Sequence, residues 1–231
     1  MVTYKMMIKL ILILLFLPSL AYSAASESIC YGTTSNGKLE GGVELPKSGN
    51  NFQSYSSIGN LMGRTFVHSK VLSVILKSYS KLESSYPEKF FMYGETGWRE
   101  GGRFKPHKTH QNGLSVDFMV SVLKSDKSVY LPTSPLNKFG YNIEFNNHGE
   151  FEEYKIDFEA IAAHLVELHK EAKEQGIDIW RVIFAPELQP FLLKTRNGKY
   201  LKENLEFSKK RSWVRHDEHY HVDFKVECQK M

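Results

Sequence analysis

Residues 219–226 read HYHVDFKV, in which polar and apolar side chains alternate without a break. Such alternation predicts a β-strand, because successive side chains of a strand point to opposite faces. One face of this strand carries His219, His221 and Asp223. The other face carries the apolar residues that belong to a core: Tyr220, Val222, Phe224 and Val226. We therefore expect a strand that buries its apolar face and presents two histidines into a cleft.

A second group of histidines precedes another predicted strand, residues 114–120. His107 and His110 are followed by Asp117, and Gly113 supplies a flexible corner that can swing His110 back toward that carboxylate. Two imidazoles and a carboxylate suit Zn²⁺ and leave a fourth position for water, as catalytic zinc sites require. The alternative is that His-x-His pairs on solvated strands bind nothing. Five of the nine histidines fall into these two short segments, which favours the metal interpretation.

The remaining pattern predicts the fold class. Apolar residues recur at helical spacing from residue 68 to Pro87, and again from Phe158 to Gly176. Residues 31–66 are rich in Gly, Ser and Asn and predict an irregular loop, and residues 131–149 predict an excursion loop. The order of helices and strands predicts a single α+β domain with a mostly antiparallel sheet and flanking helices on one face.

A third histidine pair lies on the second predicted helix. His164 and His169 are five positions apart, which places them about 140° apart around a helix and prevents them from converging on one ion. We expect both to be boundary residues of an amphipathic helix.

Composition excludes several classes of protein. A chain of 231 residues with 42% hydrophobic and 24% charged residues can bury a real core, which excludes global disorder. The formal net charge of +4 is too small to favour nucleic acid as the main partner. The two cysteines are too few for a cysteine-based zinc module or an iron–sulfur cluster.

The first residues predict an export signal. Lys5 and Lys9 precede the apolar run 10–17, and small residues follow, as in a secretory signal peptide over residues 1–23. The run is too short to span a bilayer of about 30 Å, so an uncleaved anchor is the weaker interpretation, and we expect no stable membrane insertion of the mature domain, residues 24–231. Export favours a disulfide between Cys30 and Cys228 over two free thiols.

The histidine segments also carry a family motif. The spacing His-x6-Asp is met by His110 and Asp117, and His-x-His is met by His219 and His221. Further matching segments are GGRF at 101–104, the His107–Asp117 segment, VIFAP at 182–186 and the segment from Trp213 to Val222. Over most of the mature chain, the sequence resembles the penicillin-insensitive murein endopeptidases. Their wider group (LAS-type) includes lysostaphin-type enzymes, D-Ala-D-Ala metallopeptidases and the hedgehog signalling domain.

The resemblance implies a zinc peptidase fold and an activity. The expected enzyme works in the periplasm and cuts D-alanyl–meso-diaminopimelyl crosslink peptides of peptidoglycan. The implied zinc ligands are His110, Asp117 and His221. His219 would be the general base or would stabilise the transition state, and His216 would assist it by orientation or by contact with the oxyanion.

Other positions are less determined. His107 matches a further family histidine, which would bind substrate or a second metal. Arg103 is either a structural anchor of its loop or a contact for a substrate carboxylate. Ser115 stands where an acidic residue is typical, so we expect a lost outer contact there, and no ligand can be transferred from residues 121–160.

Two rival functions remain open. One is a D,D-carboxypeptidase or dipeptidase on the same scaffold, which would differ in whether its substrate groove is blocked or open. The other is a non-catalytic zinc-binding module, against which the additional histidines His216 and His219 argue.

Overall fold

The computed structural model describes residues 27–212 and 214–231, so the predicted signal peptide and Trp213 lie outside the described residues. The strands are β1 (Ile29–Thr33), β2 (Asn36–Glu40), β3 (Val43–Glu44), β4 (Phe52–Ser54), β5 (Phe66–Val67), β6 (Phe91–Tyr93), β7 (Ser115–Met119), β8 (Val122–Lys124), β9 (Lys127–Val129), β10 (Glu150–Phe151), β11 (Tyr154–Ile156), β12 (Asp178–Ile183) and β13 (His219–Lys225). The helices are α1 (Ser57–Leu61), α2 (Ser69–Ser85), α3 (Phe158–Glu174), α4 (Gln189–Leu192) and α5 (Gly198–Asn204), with a 3₁₀ segment over Pro135–Gly140.

A five-stranded sheet forms the centre of the molecule, in the order β12-β13-β7-β6-β4. Its strands pair antiparallel except for β4 and β6, which are parallel. Across the β13–β7 pair, His221 lies opposite Asp117 and Asp223 lies opposite Ser115. The predicted α+β class and the mostly antiparallel sheet are confirmed.

The two long helices cover one face of this sheet. Asp157 begins α3 by accepting a hydrogen bond from the Ala160 backbone N–H at 3.1 Å, which satisfies an end group of the helix. From α3, the ring of His164 packs with its centroid 4.8 Å from that of Phe118, and its Nδ1 lies 2.5 Å from the Tyr220 hydroxyl. Helices on this face leave the opposite face of β7 and β13 for the polar side chains.

The expectation for the histidines of α3 is wrong. His164 is fully buried and His169 is 7% exposed, so neither is a boundary residue. Nδ1 of His169 lies 2.9 Å from the Tyr200 hydroxyl. The amphipathic pattern underestimated burial because α3 contacts α2, α4, α5 and β12, which together enclose several sides of the helix.

The expectation of an irregular loop over residues 31–66 is also wrong. This segment contains most of β1 and all of β2, and it continues through short strands and α1. Along β2, buried and exposed residues alternate, and Gly37 and Leu39 are the buried ones. These strands are only two to five residues long, so tertiary pairing rather than local pattern stabilises them.

A disulfide ties the two ends of the domain together. Cys30 and Cys228 are bonded across 198 positions of sequence, which confirms the predicted pair. A loop of this length strongly restricts the unfolded chain, for about 5 kcal/mol at most in the chain-entropy view. Over residues 27–212 and 214–231, no helix has both the length and the apolar character needed to cross a bilayer.

Candidate metal centre

The β7–β13 pair provides the floor of the site. Because Asp117 and His221 are register partners, their side chains leave the sheet on the same face. Nδ1 of His221 lies 2.8 Å from Oδ1 of Asp117, and both side chains are buried. The predicted face of β13 is therefore the face that carries the site, although its histidines are 3% exposed rather than open to a cleft.

The loop before β7 brings His110 to the same carboxylate. His110 has a φ of 68°, and Gly113 has a φ of 75° in a corner where a Cβ would lie 2.7 Å from the backbone nitrogen of His68. The flexible corner predicted at Gly113 is thus a tight turn that only glycine fits. It places Nε2 of His110 3.3 Å from Oδ1 of Asp117.

The buried ring of His110 has one nitrogen without a hydrogen-bond partner. Its Nδ1 donates to the Thr96 carbonyl at 3.0 Å, whereas its Nε2 has no hydrogen-bond partner. Burial lowers the pKa of His110, against the opposing effect of Asp117. A metal-binding histidine is commonly held in this way: one ring nitrogen donates to the protein, and the other is left without a hydrogen-bond partner and faces the site.

A third histidine completes a group of donors. One ligand atom each from His107, His110 and Asp117 lies within 4.8 Å of the others, so the three could hold one metal ion. Nδ1 of His107 lies 3.9 Å from Oδ2 of Asp117. Histidine nitrogen and carboxylate oxygen are donors that a divalent transition metal accepts, and the unpartnered nitrogen of His110 fits such an ion.

Burial and neighbouring charges shift the pKa of Asp117 in opposite directions. Burial raises the pKa of its carboxyl, but the neighbouring His110 and His219 outweigh burial and hold that pKa well below its usual range. Asp117 is therefore a carboxylate, as a metal ligand must be.

Two further histidines stand beside these donors. Nε2 of His219 lies 3.8 Å from Oδ1 of Asp117, and its Nδ1 lies 2.8 Å from Oε1 of Glu218. The ring centroids of His216 and His219 are 4.6 Å apart, and Nδ1 of His216 donates to the Val214 carbonyl at 3.0 Å. The fold thus brings together every histidine of the two predicted clusters.

The environments of these two histidines push their pKa values apart. Burial alone would lower the pKa of His219, but the carboxylates of Glu218 and Asp117 outweigh it and raise that pKa. Burial, reinforced by the charge of His219, lowers the pKa of His216 to about 3. The pKa values of the two neighbouring rings are therefore shifted in opposite directions, as is typical of an acid–base pair in an active site.

Sequence reasoning missed the residues that enclose the site from the far side. Nε2 of His107 lies 2.6 Å from Oε2 of Glu95, and the guanidinium of Arg64 binds both carboxylate oxygens of Glu95. The Tyr55 hydroxyl donates to Oε1 of Glu95 at 3.0 Å. Burial would raise the pKa of Glu95, but His107 and Arg64 lower it to about 2. No spacing in the sequence links these residues to the histidines.

Tyr141 was missed for a different reason. It follows the 3₁₀ segment, inside the predicted excursion loop, where no pattern singles it out. Its hydroxyl donates to Oδ2 of Asp117 at 3.0 Å and accepts from the Glu95 backbone N–H at 3.0 Å. The excursion loop therefore closes over the carboxylate.

The other predicted positions have different outcomes. At Ser115, where we expected a lost outer contact, the hydroxyl donates to Oδ1 of Asp223 at 2.5 Å. Arg103 is exposed, and its backbone carbonyl accepts from Nε1 of Trp98 at 3.2 Å. Within the described part of the chain, the Arg103 side chain makes no hydrogen bond or ion pair, and its role stays a prediction.

Comparison with known families decides the assignment. The family model of the penicillin-insensitive murein endopeptidases matches residues 30–231. The chain belongs to this family. No curated protein sequence matches the chain. Membership in the murein endopeptidase family identifies a peptidase, and the group of His107, His110 and Asp117 fits the metal ion that a metallopeptidase needs.

Proposed function

We propose that the protein is an exported, zinc-dependent murein endopeptidase that hydrolyses D-alanyl–meso-diaminopimelyl crosslink peptides in the periplasm. Family membership supports the reaction class. The observation that carries the proposal is the unpartnered Nε2 of buried His110, which faces the ionised carboxylate of Asp117. Such a nitrogen is costly to bury unless a ligand completes it.

In this proposal, His110, Asp117 and His221 hold the zinc ion. The donor atoms proposed are Nε2 of His110, Oδ1 of Asp117 and Nδ1 of His221, and both nitrogens lie close to that oxygen, at 3.3 and 2.8 Å. His221 is assigned from the family motif, because the donors that lie within 4.8 Å of one another are those of His107, His110 and Asp117. His107 lies beside this set, with Nδ1 facing Oδ2 of Asp117, and serves substrate binding or a second metal. When bound, zinc supplies Lewis acidity that polarises a carbonyl and activates a water.

His219 and His216 perform the proton and hydrogen-bond steps. Glu218 orients the ring of His219 through Nδ1, which leaves Nε2 directed at the site to stabilise charge that develops on the scissile carbonyl oxygen or to move a proton. The Val214 carbonyl accepts from Nδ1 of His216, which leaves its Nε2 as an acceptor that can orient His219. Contact of His216 with the same oxygen, the alternative role, requires a protonated Nε2.

Export and compartment are part of the proposal. The Cys30–Cys228 disulfide is typical of an oxidising compartment, and residues 1–23 have the composition of a signal peptide. The expected partner is the crosslinked stem peptide of peptidoglycan, with no nucleic acid and no stable membrane insertion after cleavage of the signal.

The test is digestion of purified peptidoglycan with meso-diaminopimelate crosslinks by the zinc-loaded mature protein. The products are analysed by mass spectrometry, with and without chelator and after zinc is restored. We expect chelator-sensitive conversion of dimeric muropeptides to monomers. Release of terminal D-alanine alone would assign a D,D-carboxypeptidase instead, and intact muropeptides with zinc bound would assign a binding module.

A matched variant guards this test against a contaminating hydrolase. His110→Ala removes the unpartnered nitrogen and leaves the rest of the site. We expect the variant, purified in the same way, to leave dimeric muropeptides intact. Equal digestion by wild type and variant would contradict the proposal.

A further inference from the structure

Asp223 is a buried carboxylate for which the proposed reaction has no direct use. It is fully buried on β13, two positions after His221 and on the same strand face. Three groups donate to it. Nε2 of His221 lies 2.8 Å from Oδ1, the Ser115 hydroxyl lies 2.5 Å from Oδ1, and Nε of Arg181 lies 2.6 Å from Oδ2.

These contacts decide which nitrogen of His221 faces the site. With its Nε2–H donated to Asp223, the ring presents Nδ1 to Asp117 at 2.8 Å. A histidine that binds a metal commonly donates its second nitrogen to a carboxylate, which fixes the tautomer and makes the ligand more basic. We infer that Asp223 is a positioning residue that holds His221 as an Nδ1 ligand of the metal centre.

The supports of Asp223 come from both neighbouring strands. Ser115 on β7 is its register partner, and Arg181 on β12 is its register partner on the other side. The side chain of Arg181 is 33% exposed, so its charge reaches Asp223 from the solvent side. An unpaired buried carboxylate is strongly destabilising, whereas this one is satisfied on both oxygens and held in one orientation.

This inference rests on the metal site of the proposed function, and it adds a measurable property. Removing the carboxylate leaves the three proposed ligands in place, while the His221 ring loses the acceptor that orients it. We expect weaker zinc binding rather than none, since the loss of such an outer contact reduces metal affinity by about 10- to 100-fold.

The test compares Asp223→Ala and Asp223→Asn with wild type and with Asp178→Asn. Asp178 is a matched control on β12, because its carboxylate also forms an ion pair, with Lys173 at 2.9 Å, but it makes no contact with His221. Zinc affinity is measured by competition with a chromogenic chelator. We expect the largest loss in Asp223→Ala, a loss of about 10-fold in Asp223→Asn, and none in Asp178→Asn.

A second readout separates positioning from general destabilisation. Long-range ¹H–¹⁵N spectra of the zinc-loaded wild type are expected to show a His221 Nε2 proton that exchanges slowly with solvent. In Asp223→Ala this proton should lose its protection. If Asp223→Ala does not fold, the isosteric Asp223→Asn decides the question through zinc affinity, because its amide oxygen can still accept from Nε2.

Two results would overturn the inference, and they are distinguishable. Wild-type zinc affinity in a folded Asp223 variant, or a Nε2 proton that stays protected in Asp223→Ala, would overturn the role of Asp223 alone. Absence of stoichiometric zinc from wild type would overturn the proposed metal site and this inference together.

Discussion

Buried histidines lie against both faces of β13, and the pKa values of His221 and His164 are shifted in opposite directions. On the site face, His221 lies between the carboxylates of Asp117 and Asp223. On the core face, His164 of α3 packs against Tyr79 and Phe118 and contacts the Tyr220 hydroxyl. Burial is nearly complete in both cases.

Burial alone would lower the pKa of both rings. For His164 nothing opposes burial, and its pKa falls to about 3. For His221 the two carboxylates, Asp223 above all, outweigh burial and raise the pKa to about 10. Neighbouring carboxylates, rather than the depth of burial, therefore set the direction in which the pKa of a buried histidine shifts on each side of β13.

The largest expected effect is the loss of a proposed ligand. In His221→Ala and in His110→Ala we expect bound zinc to fall below one per chain and hydrolysis of crosslinked peptidoglycan to fall to background, because each variant removes a proposed donor to the ion. Zinc is measured by elemental analysis after dialysis. His148→Ala, at an exposed histidine whose ring contacts Phe191, is the control. One zinc per chain in both ligand variants would reject the ligand set.

The next largest effect distinguishes a role in hydrolysis from a role in zinc binding for a histidine on the site face. We expect His219→Ala to keep zinc but to lose about 10²- to 10⁴-fold in hydrolysis rate, as is usual when a positioned acid or base is removed. The side chain lies 3.8 Å from Asp117 but is not a proposed ligand. Rates on purified dimeric muropeptides and zinc content are measured on the same preparation. Full activity in this variant would contradict the proposed role of His219.

A smaller effect concerns the core face and pH. The pKa of His164 is below that of an unfolded histidine, about 6.5, so the unfolded chain binds the proton more tightly and stability is lost as the pH falls from 6.5 toward 3. Between pH 7 and pH 5 this amounts to about 2 kcal/mol. We expect the difference in unfolding free energy between wild type and His164→Gln to narrow by that amount. Urea denaturation at the two pH values measures it, and a constant difference would show that His164 does not titrate in this way.

The smallest effect tests the separation of the two faces directly. Tyr220→Phe removes the hydroxyl that contacts His164, and among the described residues this hydroxyl has no hydrogen bond to the site face. We expect a loss of about 1 kcal/mol in unfolding stability, the usual net value of one hydrogen bond. Zinc content and hydrolysis should equal those of wild type. A drop in zinc content would mean that the two faces are coupled through the strand.

Much of the site was predictable because its main elements are local. The alternation in residues 219–226 assigned the faces of β13 correctly, and the corner at Gly113 brings His110 to Asp117 as expected. The alternation of side chains along a strand and a tight turn at glycine both depend on residues that are adjacent in the sequence. They can therefore be predicted from the sequence pattern alone. The disulfide between the distant Cys30 and Cys228 could be predicted because the chain has only these two cysteines and is predicted to be exported.

The errors share a physical cause. The strands between residues 31 and 66 were predicted as loop because two- to five-residue strands owe their stability to pairing partners that a local pattern does not contain. The burial of His164 was underestimated because an amphipathic pattern predicts one solvent-exposed face, whereas a helix packed on several sides also buries residues of that face. Glu95 and Tyr141 reach the site through contacts that no spacing encodes.

The family, the two histidine segments and the site face of β13 could all be predicted from the sequence, because each depends on residue types at short spacing. The pKa shifts of these groups and the contacts that hold them depend on the folded chain. The contact between His221 and Asp117 joins residues 104 positions apart, and that between His164 and Tyr220 joins residues 56 positions apart. The charge of a buried histidine depends on what such distant contacts place beside it, and only the folded chain brings those neighbours together.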